Sequence, residues 1–137
     1  MHKKPRRVVG CLIEYDQRFL TLLRRPDDGD CWGLPAGGVN QGETDGQAMI
    51  REIKEETGYH AEATSLEYLG EWQWEFPEYP IRFIAFRLRL SKPILVKHNP
   101  DEHVRFEWVT PLELIAKPNL ISGFRELLEK IGYLENQ

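Results

Sequence analysis

Three glutamates in the first half of the chain share one helical face. Glu52, Glu55 and Glu56 fall within an arc of about 100° if residues 44–57 form a helix, since each residue advances by about 100°. Like charges at i and i+4 cost roughly a few tenths of a kcal/mol in an isolated helix, and a bound cation would remove that cost. Carboxylate oxygens select Mg²⁺ or Mn²⁺. The face therefore suits a divalent-metal site, but taken alone it more often indicates a solvated acidic surface.

A glycine-rich segment leads into this helix. It contains three glycines that allow the backbone to turn sharply and to approach a ligand closely: Gly37, Gly38 and Gly42. Thr44 and Gln47 form a capping-box pattern at the helix start, and Gly58 follows its end. The free N–H groups of a helix start favour anions. Glycines and acids at these spacings predict a site for a phosphate group beside a metal.

The spacing resembles the 23-residue box of the Nudix hydrolases. Residues 37–59 match that box at every fixed polar and glycine position, namely Gly37, Glu43, Arg51, Glu52, Glu55, Glu56 and Gly58. Tyr59 departs from the aliphatic residue that the family usually carries, which concerns packing at the helix end rather than chemistry. The resemblance implies the Nudix αβα sandwich and a metal-dependent enzyme that hydrolyses a diphosphate bond.

The resemblance also implies roles for single residues. By position, the metal ligands are the carboxylates of Glu52, Glu55 and Glu56 and the carbonyl oxygen of Gly37. Glu43 and Arg51 are expected to hold those carboxylates in place. Many relatives add an acid from the loop before the final strand, which points to Glu102 as a further metal ligand and catalytic residue. The general base differs among these enzymes. We rank Glu52 first and Glu102 second as candidates for that role.

The chemistry explains why several acids are needed. A polyanionic diphosphate repels hydroxide, whereas Mg²⁺, or Mn²⁺ as the alternative, screens that charge and lowers the pKa of the attacking water. A carboxylate within hydrogen-bond reach of the water completes its activation.

The remaining segments predict the elements that position these residues. Runs at 8–15 and 18–23 suit a hairpin around Asp16 and Gln17, and alternating runs at 66–76, 84–90 and 104–109 predict further strands. In the run 66–76 we expect the even-numbered apolar residues to share one face. Short helices are predicted at 110–116 and 121–131. This order predicts an α/β or α+β class, a mixed β-sheet flanked by helices.

Length and composition limit the class of protein. The 137 residues suit one domain, which we place at 1–137. Apolar residues at 41% and charged residues at 29% exclude a disordered chain, and no apolar run approaches the roughly 20 residues of a membrane span. Because no secretory signal is recognised, we expect a cytoplasmic protein. We expect it to be a monomer or a homodimer. Cys11 and Cys31 are predicted to be free thiols.

The substrate is expected to be a small nucleotide. Trp74, Phe76 and Asn119 are candidates for contact with a base, and Gly38 for contact through its backbone, although strand aromatics more often fill cores and Asn119 suits a helix cap. The segment 74–81 resembles the MutT-like nucleoside triphosphate pyrophosphohydrolases. The net charge of −4 disfavours long nucleic acid.

Other substrates remain open. The segment 32–49 resembles RNA 5′-pyrophosphohydrolases and dinucleoside polyphosphate hydrolases, which usually carry glutamine where this chain has Ala36. The alternatives are therefore 5′-triphosphorylated RNA, dinucleoside polyphosphates and ADP-ribose. A non-enzymatic nucleotide-binding Nudix domain is disfavoured, because none of the box acids is lost.

Overall fold

Alternating apolar residues form a sheet, and three amphipathic segments form helices. The computed structural model describes residues 5–75, 80–121 and 123–134, without the side chains of Asp28 and Glu75. Its elements are β1 (Arg6–Tyr15), β2 (Arg18–Arg24), β3 (Trp32–Gly33), β4 (Ala36–Gly38), α1 (Asp45–Thr57), β5 (Leu66–Glu75), β6 (Pro80–Arg89), β7 (His103–Val109), α2 (Pro111–Ile115) and α3 (Phe124–Lys130). Within these ranges, every helix is too short or too polar to cross a membrane.

The strands form one mixed sheet. Its order is β3-β2-β1-β6-β5, with β4 also paired to β1 and β7 also paired to β2. The β1 and β6 strands are parallel, and the other pairs are antiparallel. Asp16 and Gln17 both have positive φ angles and join β1 to β2, which confirms the predicted hairpin.

Helices cover both faces of the sheet, which confirms the predicted sandwich. On one face, Val9, Cys11 and Ile13 of β1 pack with Met49 and Ile53 of α1. On the other face, the core contains Leu12, Phe19, Val109, Leu114, Phe124 and Leu128, which joins the sheet to α2 and α3. Burial of the apolar layer beneath α1 fixes the rotation of this helix, and with it the direction of the acidic side chains.

The β5 strand differs from the sequence prediction. Tyr68 pairs with Phe86 on the face of the sheet that carries α1. The register shifts between Tyr68 and Gly70, after which Trp74 pairs with Ile81 on the opposite face, toward α3. The prediction that the even-numbered residues share one face was wrong, because a β-bulge inserts an extra residue and reverses the alternation. The bulge directs Trp74 to the face where α3 packs.

One further prediction needs correction near the C-terminus, and the glycine-rich segment forms short strands. The last helix begins at Phe124, and Ile121 instead donates its backbone N–H to the Trp32 carbonyl at 2.9 Å. The β3 and β4 strands, with two and three residues, were not predicted. Segments of that length carry too little alternation to be recognised in the sequence.

Candidate functional site

The three glutamates of α1 differ in burial. Met49 and Ile53 are fully buried beneath the helix and orient its acidic face along the border of the core. Glu52 and Glu56 are accordingly buried, with 8% and 4% of their surface exposed, whereas the side chain of Glu55 is about half exposed. The helix begins with a complete capping box, as predicted. It therefore presents two buried carboxylates and one that reaches solvent.

The β4 strand packs directly against these carboxylates. The backbone N–H of Ala36 donates a hydrogen bond of 2.8 Å to Oε2 of Glu56. A Cβ atom built on Gly37 would overlap the carboxyl group of Glu52, so any larger residue here would displace that carboxylate. The structure thus brings Gly37 against the acidic face of α1 through the pairing of β4 with β1.

Arg51 connects the acids to the segment that precedes the helix. Its guanidinium donates to both carboxylate oxygens of Glu43, at 2.8 and 2.9 Å, and to Oε1 of Glu52 at 2.6 Å. It also donates to the Gly38 carbonyl at 2.9 Å. Glu43 in turn accepts a hydrogen bond from the backbone N–H of Asn40. A planar group with five donors can make all of these contacts at once.

Burial makes two of the carboxylates harder to ionise. Desolvation raises the pKa of Glu56 well above its usual value of 4.5, and the neighbouring Glu52 raises it further. Desolvation also raises the pKa of Glu52, while the hydrogen bond from Arg51 opposes that change. In contrast, hydrogen bonds from Arg51 and Asn40 lower the pKa of Glu43. Buried carboxylates of this kind favour a cation as partner.

Glu102 approaches from the turn before β7. It is exposed, and its charge contributes to the raised pKa of both Glu52 and Glu56. One oxygen each of Glu56 and Glu102 and one ring nitrogen of His103 lie within 4.8 Å of one another. The sequence predicted a place for Glu102 at the site but assigned no role to His103. The sequence feature that could have identified His103 is its position beside Glu102, directly before a predicted strand.

A cavity adjoins the segment that contacts the acids. We call it the Trp74 cavity; it measures about 230 Å³, and its lining includes Arg6, Arg24, Gly37, Gly38, Trp74 and Phe83. The rings of Trp74 and Phe83 stack with centroids 4.5 Å apart and an angle of 14° between their planes. A Cβ atom on Gly38 would lie 2.6 Å from Nη2 of Arg6, so the guanidinium packs directly over this glycine. An aromatic wall, two cations and the acidic face thus meet around β4.

Of the two remaining predicted contact residues, the structure describes one, and it lies outside the described lining of the Trp74 cavity. Asn119 is exposed, and its backbone carbonyl accepts a hydrogen bond from the N–H of Trp32 at 2.7 Å. The described lining of the Trp74 cavity includes Ile121 rather than Asn119. Phe76 lies outside the described residues. The stacking residue that the sequence did not predict is Phe83, because it belongs to a strand with continuous apolar burial from Phe83 to Phe86.

Comparisons with known proteins agree with this geometry. A family model described as the NUDIX domain matches residues 4–133. An RNA pyrophosphohydrolase from Novosphingobium aromaticivorans is 30% identical over 136 residues, covering 85% of this chain and 83% of the relative. A CTP pyrophosphohydrolase from Escherichia coli is 33% identical over 114 residues, covering 81% and 80%. The crystal structure of a MutT protein from Methanosarcina mazei Go1 superposes with a TM-score of 0.80 at 26% identity, covering 96% of each chain.

Proposed function

Because this chain belongs to the Nudix hydrolase family, we propose that it cleaves the diphosphate bond of a nucleoside di- or triphosphate with the help of a divalent metal ion. The products are a nucleotide and either phosphate or pyrophosphate. The observation that carries this proposal is the position of Glu52 and Glu56, which are buried against the backbone of Ala36 and Gly37. Two adjoining buried carboxylates do not stabilise the fold by themselves, whereas a metal site favours such a pair.

The donor set fits a hard divalent cation. Glu52, Glu55, Glu56 and Glu102 would hold it together with the carbonyl oxygen of Gly37. All of these donors are oxygens, which suit Mg²⁺ or, as the alternative, Mn²⁺. When bound, the ion screens the phosphate charge and lowers the pKa of the attacking water. Burial raises the pKa of Glu52 and Glu56, and a bound cation would oppose this change by favouring the ionised carboxylates.

Arg51 and Glu43 act as positioning residues in this proposal. Arg51 holds Glu52 from one side and the Gly38 carbonyl from another, so the helix and β4 keep a fixed separation. We assign the general base to Glu52 first and to Glu102 second. Glu52 is the more rigidly held, whereas Glu102 is exposed and lies on a turn. The base must accept a proton from the water at hydrogen-bond distance, which favours a carboxylate with a fixed orientation.

The Trp74 cavity supports a small nucleotide as substrate. A base could stack on the paired rings of Trp74 and Phe83, which face the cavity beside Gly37 and Gly38. Arg6 and Arg24 line the same cavity and provide positive charge for phosphate oxygens. Gly37 lines this cavity and also lies against the Glu52 carboxyl group, an arrangement that suits a short phosphate chain.

A second candidate substrate is the 5′ end of triphosphorylated RNA. It is favoured by the relative from Novosphingobium aromaticivorans, whose name is RNA pyrophosphohydrolase. The same stacking surface would then receive the first base of the strand. The net charge of −4 argues for recognition of the 5′ end alone rather than of a long strand.

A substrate panel tests the proposal. It contains the common nucleoside di- and triphosphates, oxidised dGTP, diadenosine tetraphosphate, ADP-ribose and 5′-triphosphorylated RNA, each with Mg²⁺, with Mn²⁺ and with EDTA. We expect metal-dependent turnover with kcat/KM highest for a nucleoside di- or triphosphate. Reaction in H₂¹⁸O identifies the attacked phosphorus, because the label enters only one product. Highest kcat/KM for RNA would select the second candidate, and no metal-dependent turnover would contradict the proposal.

A further inference from the structure

His103 lies beside the carboxylates of the site, although a site built only from oxygen donors needs no imidazole. It is the first residue of β7, where it pairs with Arg24 of β2, and only 5% of its surface is exposed. One of its ring nitrogens shares a region 4.8 Å across with one oxygen each of Glu56 and Glu102. The His103 imidazole thus lies close to the buried Glu56 carboxylate and the exposed Glu102 carboxylate at the edge of the acidic face.

The three donor atoms are near enough to share one ion after a modest movement. Three donors that each lie about 2.2 Å from one ion are about 3.1–3.8 Å apart, depending on the geometry. The three atoms lie within 4.8 Å of one another, so closing on an ion needs a movement of about 1–2 Å at most. Glu102 is exposed on a turn, so rotation of its side chain can supply this movement. His103 and Glu56 are both buried.

The mixed donor set has a consequence for the choice of ion. Mg²⁺ takes oxygen ligands almost exclusively, whereas first-row transition ions accept imidazole nitrogen. We propose that His103 supplies a nitrogen ligand to one metal position, together with Glu56 and Glu102, and that this position binds Mn²⁺ in preference to Mg²⁺. The proposal rests on the proposed function only in sharing Glu56 and Glu102 with the metal site described above.

His103 also adjoins the space that we assign to the base. It lines a smaller cavity of about 50 Å³ that shares Arg24, Trp74 and Phe83 with the Trp74 cavity. An ion held by His103 would therefore lie at the junction between the acidic face and the stacking surface. That junction is where the phosphate chain of a stacked nucleotide must pass.

The test is the spectrum of bound Mn²⁺, which requires no substrate. Pulsed electron paramagnetic resonance of the full chain loaded with Mn²⁺ detects a directly bound imidazole nitrogen. We expect this nitrogen coupling in the wild type and its loss in His103→Gln. Mn²⁺ titration should show binding weakened by about 10-fold in His103→Gln, while competition by Mg²⁺ changes by less than about 3-fold. His60→Gln, at an exposed histidine, should change neither measurement.

Variants of the other histidines keep the test valid even if His103→Gln, at a buried position, fails to fold. The chain has four histidines, so wild-type coupling that persists in separate variants of His2, His60 and His98 assigns the nitrogen to His103. Absence of a nitrogen coupling in the wild type, or its persistence in His103→Gln, would overturn the proposal. Metal-dependent turnover without a nitrogen coupling would overturn this inference alone and leave the proposed hydrolase function intact.

Discussion

Arg51 donates two nearly equal hydrogen bonds to Glu43, from Nε to Oε2 at 2.8 Å and from Nη2 to Oε1 at 2.9 Å. The pair joins the middle of α1 to the segment that precedes the helix. Since the same guanidinium also donates to Glu52, the orientation of a candidate metal ligand depends on a residue nine positions earlier in the chain. A single ammonium group cannot reproduce this fork.

Arg51→Lys should therefore impair the site while keeping its charge. We expect kcat/KM for the best nucleotide substrate to fall by about 10–100-fold, which is typical when a residue that orients a metal ligand is lost. Arg125→Lys is the matched control, because Arg125 is exposed on α3 and pairs only with Glu129 among the described contacts. Steady-state kinetics with Mg²⁺ measures both variants. Activity of Arg51→Lys within about twofold of the wild type would contradict the positioning role.

Gly37→Ala should weaken metal binding. Its added methyl group would overlap the Glu52 carboxyl group, which must then move from its present place. We expect Mg²⁺ affinity, measured by calorimetric titration, to fall by at least about 10-fold. Gly46→Ala on α1 provides the control, since a Cβ there meets no atom within 4 Å. Gly46→Ala should leave the Mg²⁺ affinity unchanged and raise the free energy of unfolding by up to about 1 kcal/mol. Equal affinity in both variants would refute the close approach.

Glu56→Gln should stabilise the metal-free protein. Burial raises the pKa of Glu56, so the folded state favours the protonated form. The stability from protonation is complete below the unfolded value near 4.5 and is lost as pH rises through the higher folded value. In EDTA at pH 8 the variant should melt about 3–5 °C above the wild type, with little difference at pH 4. Glu62→Gln, at an exposed position, should melt like the wild type at both pH values.

Thermal melts then separate stability from metal binding. Mg²⁺ should raise the melting temperature of the wild type but not of Glu56→Gln, because a ligand stabilises only the state that binds it. A Glu56→Gln protein that is less stable than the wild type in EDTA at pH 8 would contradict the conclusion that burial disfavours the ionised form of Glu56.

Trp74→Leu should affect the base more than the phosphates. Loss of a stacking surface is worth about 1–3 kcal/mol per base, so KM for a nucleoside triphosphate should rise by about 10-fold. KM for inorganic triphosphate, which has no base, should stay unchanged if that compound is hydrolysed. Trp72→Leu on the same strand is the control, since Trp72 is not among the described lining residues of the Trp74 cavity. An equal rise in KM for both variants would argue against stacking on Trp74.

The sequence predicted those parts of the molecule whose signals are local. The capping box of Thr44 and Gln47 and the apolar spacing of Met49 and Ile53 fixed the position and rotation of α1. The acidic face followed from that rotation, because side chains on a regular helix are related by a constant angle. The hairpin at Asp16 and Gln17 was equally local.

The parts that sequence reasoning missed depend on contacts between distant segments. Gly70 is a local sign of a bulge in β5, but the face that Trp74 occupies depends on the pairing of β5 with β6. Phe83 enters the Trp74 cavity for the same reason. The approach of His103 to Glu56 depends on the pairing of β7 with β2, two strands separated by most of the chain.

The central claim is that the acidic face of α1 carries metal-dependent hydrolysis, and Glu56→Gln compared with Glu62→Gln tests it most directly. We predict that kcat/KM for the best substrate with Mg²⁺ falls by at least about 100-fold in Glu56→Gln, equivalent to about 2.7 kcal/mol of barrier, and stays within about twofold in Glu62→Gln. Turnover by a folded Glu56→Gln protein at the wild-type rate would contradict the claim.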